Sequence, residues 1–123
     1  MKQAAFFSIV SALISACASA PMEAGRPPTC DGAADCQAKW DAAQEFLAKR
    51  AGLAIRVATS TLIETDDPKY ERALIVMKVT KVPLEGGRFQ LVAEARCNFA
   101  TSCRPRARRL VADFNSYIPR ATP

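Results

Sequence analysis

Arg88-Phe89-Gln90-Leu91-Val92-Ala93-Glu94-Ala95-Arg96-Cys97 is the stretch that decides the fold of this 123-residue chain. Side chains alternate across an extended segment, so Phe89, Leu91, Ala93, Ala95 and Cys97 share one face and Arg88, Gln90, Val92, Glu94 and Arg96 the other. The pattern predicts a strand with one buried and one wet side. Just upstream, Val82-Pro83-Leu84-Glu85-Gly86-Gly87 is a turn by composition, and it folds this strand antiparallel onto the preceding one. That preceding segment, residues 70–82, is apolar on both faces, as a central strand should be. Further back, Leu53, Ile55, Val57, Thr59, Thr61 and Ile63 alternate with Ala54, Arg56, Ala58, Ser60, Leu62 and Glu64. This predicts one long strand closed by the turn Thr65-Asp66-Asp67-Pro68-Lys69.

Helical periodicity flanks the three strands. Asp35 is a good N-cap, and Cys36, Trp40, Ala43 and Leu47, with Phe46 beside them, form an apolar stripe that ends before Gly52. Lys39, Asp41, Glu45 and Lys49 make the polar side, with Glu45 to Lys49 a favourable i to i+4 pair and Lys49 with Arg50 suited to the helix C-terminus. A second helix starts near Pro105, carries Leu110, Val111, Phe114 and Tyr117 on its buried side, and stops at Pro119. The expected fold is therefore α+β: helix, three-stranded antiparallel meander, helix, with both helices on one face of the sheet. Residues 30–118 make this single domain, and residues 119–123 a short tail.

The N-terminus has a different character. Lys2 precedes an apolar run over residues 4–14 that is too short to span a bilayer, which needs about 20 residues, and small residues follow; this is leader anatomy. Ile14-Ser15-Ala16-Cys17 looks like a bacterial lipobox, with an aliphatic residue three positions before the cysteine and small residues next to it. The reading is a signal peptide over 1–16, lipidation at Cys17, and a flexible Pro-rich linker through residue 29 containing Pro21, Gly25, Pro27 and Pro28. Its 12 or so residues would reach about 35 Å from the bilayer. The rival reading, cleavage after Ala18-Ser19-Ala20, would leave Pro21 next to the cut, where its ring suits a protease poorly.

Cys30, Cys36, Cys97 and Cys103 remain as an even set in an oxidising compartment, five residues separating the members of each pair. A zinc site is disfavoured, because the gaps exceed those of zinc knuckles and the chain has no histidine. Counting directions through a helix and three strands gathers all four cysteines at one end of the domain, so proximity does not choose among the three pairings. Cys30 with Cys36 and Cys97 with Cys103 is favoured by matching gaps beside two helix starts. Such short loops stabilise by about 2 kcal/mol each, whereas Cys36 with Cys97 would close about 60 residues and give about 4 kcal/mol.

The absence of histidine also removes the commonest general base, and no Ser, Thr or Lys stands beside a base that would activate it. A formal charge of +5, falling by one when Lys2 leaves with the leader, is too mild for a nucleic-acid tail. The candidate site is Arg104, Arg106, Arg108 and Arg109, four cations crowding the positive end of a helix dipole. Tolerating them there suggests an anionic contact, an anionic lipid or an acidic envelope protein. The competing account is solvated surface charge, partly neutralised by Glu64, Asp66 and Asp67, whose turn falls at the same end. Those three acids lack the loop of a calcium site, Trp40 on its apolar stripe reads as core, and the Cys30 to Cys36 gap is too long for a thioredoxin-like redox motif. No metal or cofactor is implied. Nothing marks any two carboxylates as a glycosidase pair.

Residues 30–118 resemble a family of small uncharacterised lipoproteins of Gram-negative bacteria with four further cysteines. The resemblance rests on Cys30-x5-Cys36 with Trp40 behind it, Thr61-Leu62-Ile63-Glu64-Thr65, Lys78-Val79-Thr80-Lys81, Cys97-Asn98 leading to Cys103, and Phe114-Asn115. It implies lipid modification and structural cysteines, and implies nothing about chemistry. Ala18 and Ser19 follow Cys17 where an aspartate would retain the protein, so sorting resembles that of outer-membrane lipoproteins on the periplasmic side. The expected function is a lipid-anchored envelope module that binds or scaffolds without catalysis, its tether turning the cysteine and arginine end toward the membrane. The alternative is a small envelope-acting enzyme using carboxylate chemistry, which a deep pocket holding two carboxylates would favour.

Overall fold

A computed structural model describes residues 25–67, 75–98 and 103–123; the leader, Cys17, residues 18–24, the Pro68-Lys69 turn and the Tyr70 start of the second expected strand lie outside the described residues. In chain order the elements are β1 (Thr29–Asp31), α1 (Gly32–Glu45) continued by a π-helical turn (Phe46–Arg50), β2 (Ile55–Ala58), β3 (Leu62–Thr65), β4 (Ile75–Pro83), β5 (Arg88–Cys97), α2 (Arg104–Tyr117) and a closing 3₁₀ turn (Ile118–Arg120). All neighbouring strands are antiparallel, in the order β1-β5-β4-β3-β2. The class is α+β, but the sheet has five strands where the sequence predicts three. The central position expected for the second strand is the one β4 takes.

Both extra strands have local causes. The β-branched run over 53–64 reads as one strand, yet it reverses at Thr59-Ser60-Thr61. The Thr59 hydroxyl accepts from the backbone N–H of Thr61 (3.2 Å) and Leu62 (3.0 Å), and Thr59 N–H donates to Leu62 O at 2.8 Å. A threonine side chain thus offers the backbone a turn in place of a ladder. Trp40 Nε1 clamps the turn by donating to Thr59 O at 3.0 Å. The second addition, β1, comes from the end of the expected linker: Thr29 pairs with Gln90 and Cys30 with Phe89, while Leu91 N–H donates to Pro28 O at 2.8 Å. Proline is tolerated there because it sits at a sheet edge and offers only its carbonyl.

Helix α1 starts four residues earlier than expected. Asp31 is the N-cap, and Gly32, at φ 81°, makes the sharp passage from strand to helix without a connecting loop. Asp35 lies inside the first turn, where its carboxylate accepts from Asp31 N–H at 2.9 Å and from Lys39 Nζ at 3.1 Å. Those two bonds, and the Lys39 charge, hold its pKa below the ordinary aspartate value. Lys39, expected on the polar face, has a side chain only 14% exposed and also donates to Thr29 O at 3.0 Å, tying helix to strand.

The core lies between the sheet and both helices. Leu91 and Ala93 of β5, Ile75, Met77 and Val79 of β4, and Ile63 of β3 pack against Cys36, Trp40, Ala43, Phe46 and Leu47 of the first helix and Ala107, Leu110, Phe114 and Ile118 of the second. The expected stripe of α1 is therefore its buried face. On α2, Val111 is only half-buried, and Ala107, with Ile118 of the closing 3₁₀ turn, completes the stripe instead. Ala121, in the expected tail, also packs against the core. Among the described residues one polar residue is fully inside: Thr65, expected in a turn, ends β3 at 1% exposure, its hydroxyl accepting from Met77 N–H (2.9 Å) and donating to Met77 O (3.3 Å).

The extra reversal changes where the cysteines lie. Cys30 stands beside Phe89 at the start of β5, whereas Cys97 ends that strand eight residues later, a separation of roughly 26 Å at strand rise. The four cysteines do not gather at one end. Cys30 pairs with Cys36 and Cys97 with Cys103, with Cα–Cα distances of 4.9 and 5.9 Å, so each bridge secures its own end of the sheet. The start of α2 belongs to the end far from β1.

Candidate functional site

Helix α2 begins directly after Cys103, and Arg104, Arg106, Arg108 and Arg109 are all exposed on its first two turns, with no acidic residue in the first. Among the described residues none of the four has a carboxylate within ion-pair distance. Of their three expected neutralisers, Glu64 holds Arg56 at 3.0 Å and Asp67 holds Arg96 at 2.8 Å, and Asp66 is within ion-pair distance of none of the four among the described residues. The quartet is nonetheless not one patch. At about 100° per residue, Arg104 and Arg108 fall on one flank of the buried stripe, and Arg106 and Arg109 on the other.

Each flank meets different neighbours. On the Arg106 and Arg109 side, α2 faces the π-helical turn across an open groove of ≈ 470 Å³ lined by Phe46, Arg50, Leu110, Asp113, Ser116, Tyr117 and Arg120. Arg50 stacks over the Tyr117 ring at 4.1 Å, and Phe46 meets Phe114 edge-on at 5.5 Å. On the Arg104 and Arg108 side lies the incoming chain: Asn115 Nδ2 donates to Gly25 O at 3.5 Å.

A second candidate was not legible in the sequence. The sheet face turned away from the helices carries a cavity of ≈ 500 Å³ lined by Arg56, Glu64, Asp67, Val76, Lys78, Glu94 and Arg96, among others. Glu64 stands opposite Lys78 and Lys78 opposite Glu94 in the strand register. With Arg56–Glu64 at 3.0 Å and Lys78–Glu94 at 3.2 Å, charges alternate in sign across four strands. Two glutamates thus occupy one cavity, each beside a cation. Pairs this exposed add little stability, about 0–1 kcal/mol each. The signal in the sequence was the outward set of each strand, but its meaning required the register.

Among the described residues no group of three or more His, Cys, Asp or Glu side chains is disposed to hold a metal, and no helix is long and apolar enough to cross a membrane. Trp40 is 4% exposed, and Lys81 Nζ lies 5.5 Å from its ring and 5.0 Å from that of Phe89, so the indole packs in the core. No family model, no curated protein and no solved structure matches the chain.

Proposed function

We propose that the protein is a lipid-anchored module of the cell envelope, held through Cys17 on the periplasmic side of the outer membrane, that works by binding or scaffolding. The observation that carries the binding half is the arginine quartet: four exposed cations at the unfavourable end of a helix dipole, none neutralised among the described residues. Among the described residues no ion pair holds them there, so an anionic contact, an anionic lipid or an acidic envelope protein, accounts for their presence better than folding does. The anchoring half rests on Ile14-Ser15-Ala16-Cys17 and on the resemblance to small Gram-negative lipoproteins. Metabolic labelling with palmitate in a Gram-negative host tests it. The wild-type protein takes up label and fractionates with outer membrane, and Cys17→Ser abolishes both. Label in Cys17→Ser, or none in the wild type, contradicts the anchor.

The second reading, an envelope-acting enzyme using carboxylate chemistry, is favoured by one observation, the joint presence of Glu64 and Glu94 in the sheet-face cavity. They stand two strand spacings apart, about 10 Å at the backbone. Hydrolysis of envelope glycans that disappears in both Glu64→Gln and Glu94→Gln supports it, and activity that survives either substitution removes it.

A further inference from the structure

The split of the arginine quartet acquires a direction from the position of Gly25, the first described residue. Gly25 lies against Asn115, hydrogen-bonded through its carbonyl, and a Cβ on Gly25 would stand 3.8 Å from that of Asn115. Asn115 is seven residues after Arg108 and eleven after Arg104. At about 100° per residue both arginines fall within roughly 20° of it around the helix, some 10 and 16 Å along the axis. Arg106 and Arg109 are roughly 180° and 120° away from it. Arg26, exposed and next to Gly25, adds a third cation to the near flank.

The chain that remains between Cys17 and Gly25 spans at most about 29 Å when fully extended. A domain held that closely presents the flank carrying Gly25 to the bilayer more readily than the flank across the helix. Three cations on that flank, none paired with a carboxylate among the described residues, then fall within reach of headgroup charge, whose influence extends about one Debye length, ~8 Å.

We propose that Arg26, Arg104 and Arg108 form the surface by which the tethered domain lies on an anionic phospholipid bilayer, and that Arg106 and Arg109 face away from it. The proposal rests on anchoring at Cys17 and deepens that reading by naming both the ligand class and the side. It also replaces the orientation expected from sequence: the bilayer meets a flank of α2, along the line from the tether toward the start of the helix, and not an end carrying all four cysteines.

Arginine modification by phenylglyoxal, read by mass spectrometry on the full lipidated protein in vesicles, tests this directly. In phosphatidylethanolamine vesicles containing phosphatidylglycerol, Arg26, Arg104 and Arg108 react several-fold more slowly than in phosphatidylcholine vesicles, while Arg106 and Arg109 react equally in both. Equal protection of all five, protection confined to Arg106 and Arg109, or protection of none overturns the proposal. Intact mass reports the lipid independently, so a failed anchor is seen as a missing acyl mass and not as a change in arginine reactivity. A second arm uses Cys17→Ser protein and the same anionic vesicles. Arg104→Glu with Arg108→Glu weakens partition at least about thirty-fold, a loss abolished at high salt, and Arg106→Glu with Arg109→Glu, the same charge change on the same helix, weakens it clearly less. Equal losses from the two pairs contradict the assignment of sides. Binding of an acidic protein that needs Arg104 and Arg108, with no effect of vesicle charge, also overturns it.

Discussion

The two cysteine loops have the same spacing and differ in how deeply their bridges are buried. Cys30 and Cys36 are 2% and 4% exposed, and their bridge is surrounded by other fastenings: β1 on β5, Asp35 on Asp31 N–H, and Lys39 on both Asp35 and Thr29. Cys97 and Cys103 are half-exposed, and their bridge joins the last residue of β5 to the start of α2. The first closes an end that the backbone and side chains also close. The second fixes where a helix begins. Equal gaps in sequence therefore do not make equal roles; what decides is whether the bridged residues reach the core.

The largest effects expected from this contrast are on stability. Replacing Cys30 and Cys36 together with serine costs about 3 kcal/mol or more, since two buried sulfurs are lost with the loop constraint. The same change at Cys97 and Cys103 costs about 2 kcal/mol. Urea denaturation of the two variants measures the difference, and equal losses break the comparison. Under limiting reductant the less buried pair opens first, so alkylation labels Cys97 and Cys103 before Cys30 and Cys36. A smaller effect is expected from Thr65→Val, which leaves Met77 N–H without its hydroxyl partner inside the core and costs about 1–3 kcal/mol by the same denaturation assay. The smallest is a pH effect at the Cys30–Cys36 end. Asp35 has its pKa lowered by Asp31 N–H and Lys39, so its stabilising contribution is complete above the ordinary aspartate value, near 4, and is lost as the pH falls through the lower folded value. In Asp35→Asn that acid-side loss is absent: its urea midpoint lies below that of the wild type at pH 6, and the gap narrows below pH 4.

The positions most legible in sequence were those where one period dominates. Leu91 and Ala93 on β5, and Cys36, Trp40, Ala43 and Leu47 on α1, are buried as their spacing requires. Thr65 is a different case. Continuing the alternation from Ile63 would have turned it inward, but the acids after it read as a turn, and its contact with Met77 is visible only once β3 and β4 are paired. The break at Thr59-Ser60-Thr61 was hidden for a related reason. Threonine is a strand former by propensity and a turn former through its hydroxyl, and the sequence does not say which use wins. That single turn reversed the direction of everything before it relative to β5. It moved Cys30 and Cys36 to the opposite end, away from the start of α2.

As for the candidate site, the arginines were legible as a group, while their division between two flanks needed the buried stripe and the position of Gly25. The charge ladder on the open sheet face needed the register of four strands. Neither β1 nor the docking of Gly25 on Asn115 has a periodic signal, since three residues at a sheet edge are too short to show one.

The account depends most on the two bridges lying at opposite ends of β5. Neither Lys nor Arg occurs between Cys30 and Cys36 or between Cys97 and Cys103, so trypsin leaves each pair within one peptide. Mass spectrometry of the unreduced digest is expected to show two separate peptides, each carrying its own internal bridge and each gaining two hydrogens on reduction. A crosslinked species joining the Cys30–Cys36 peptide to the Cys97–Cys103 peptide would bring the two ends together and contradict it.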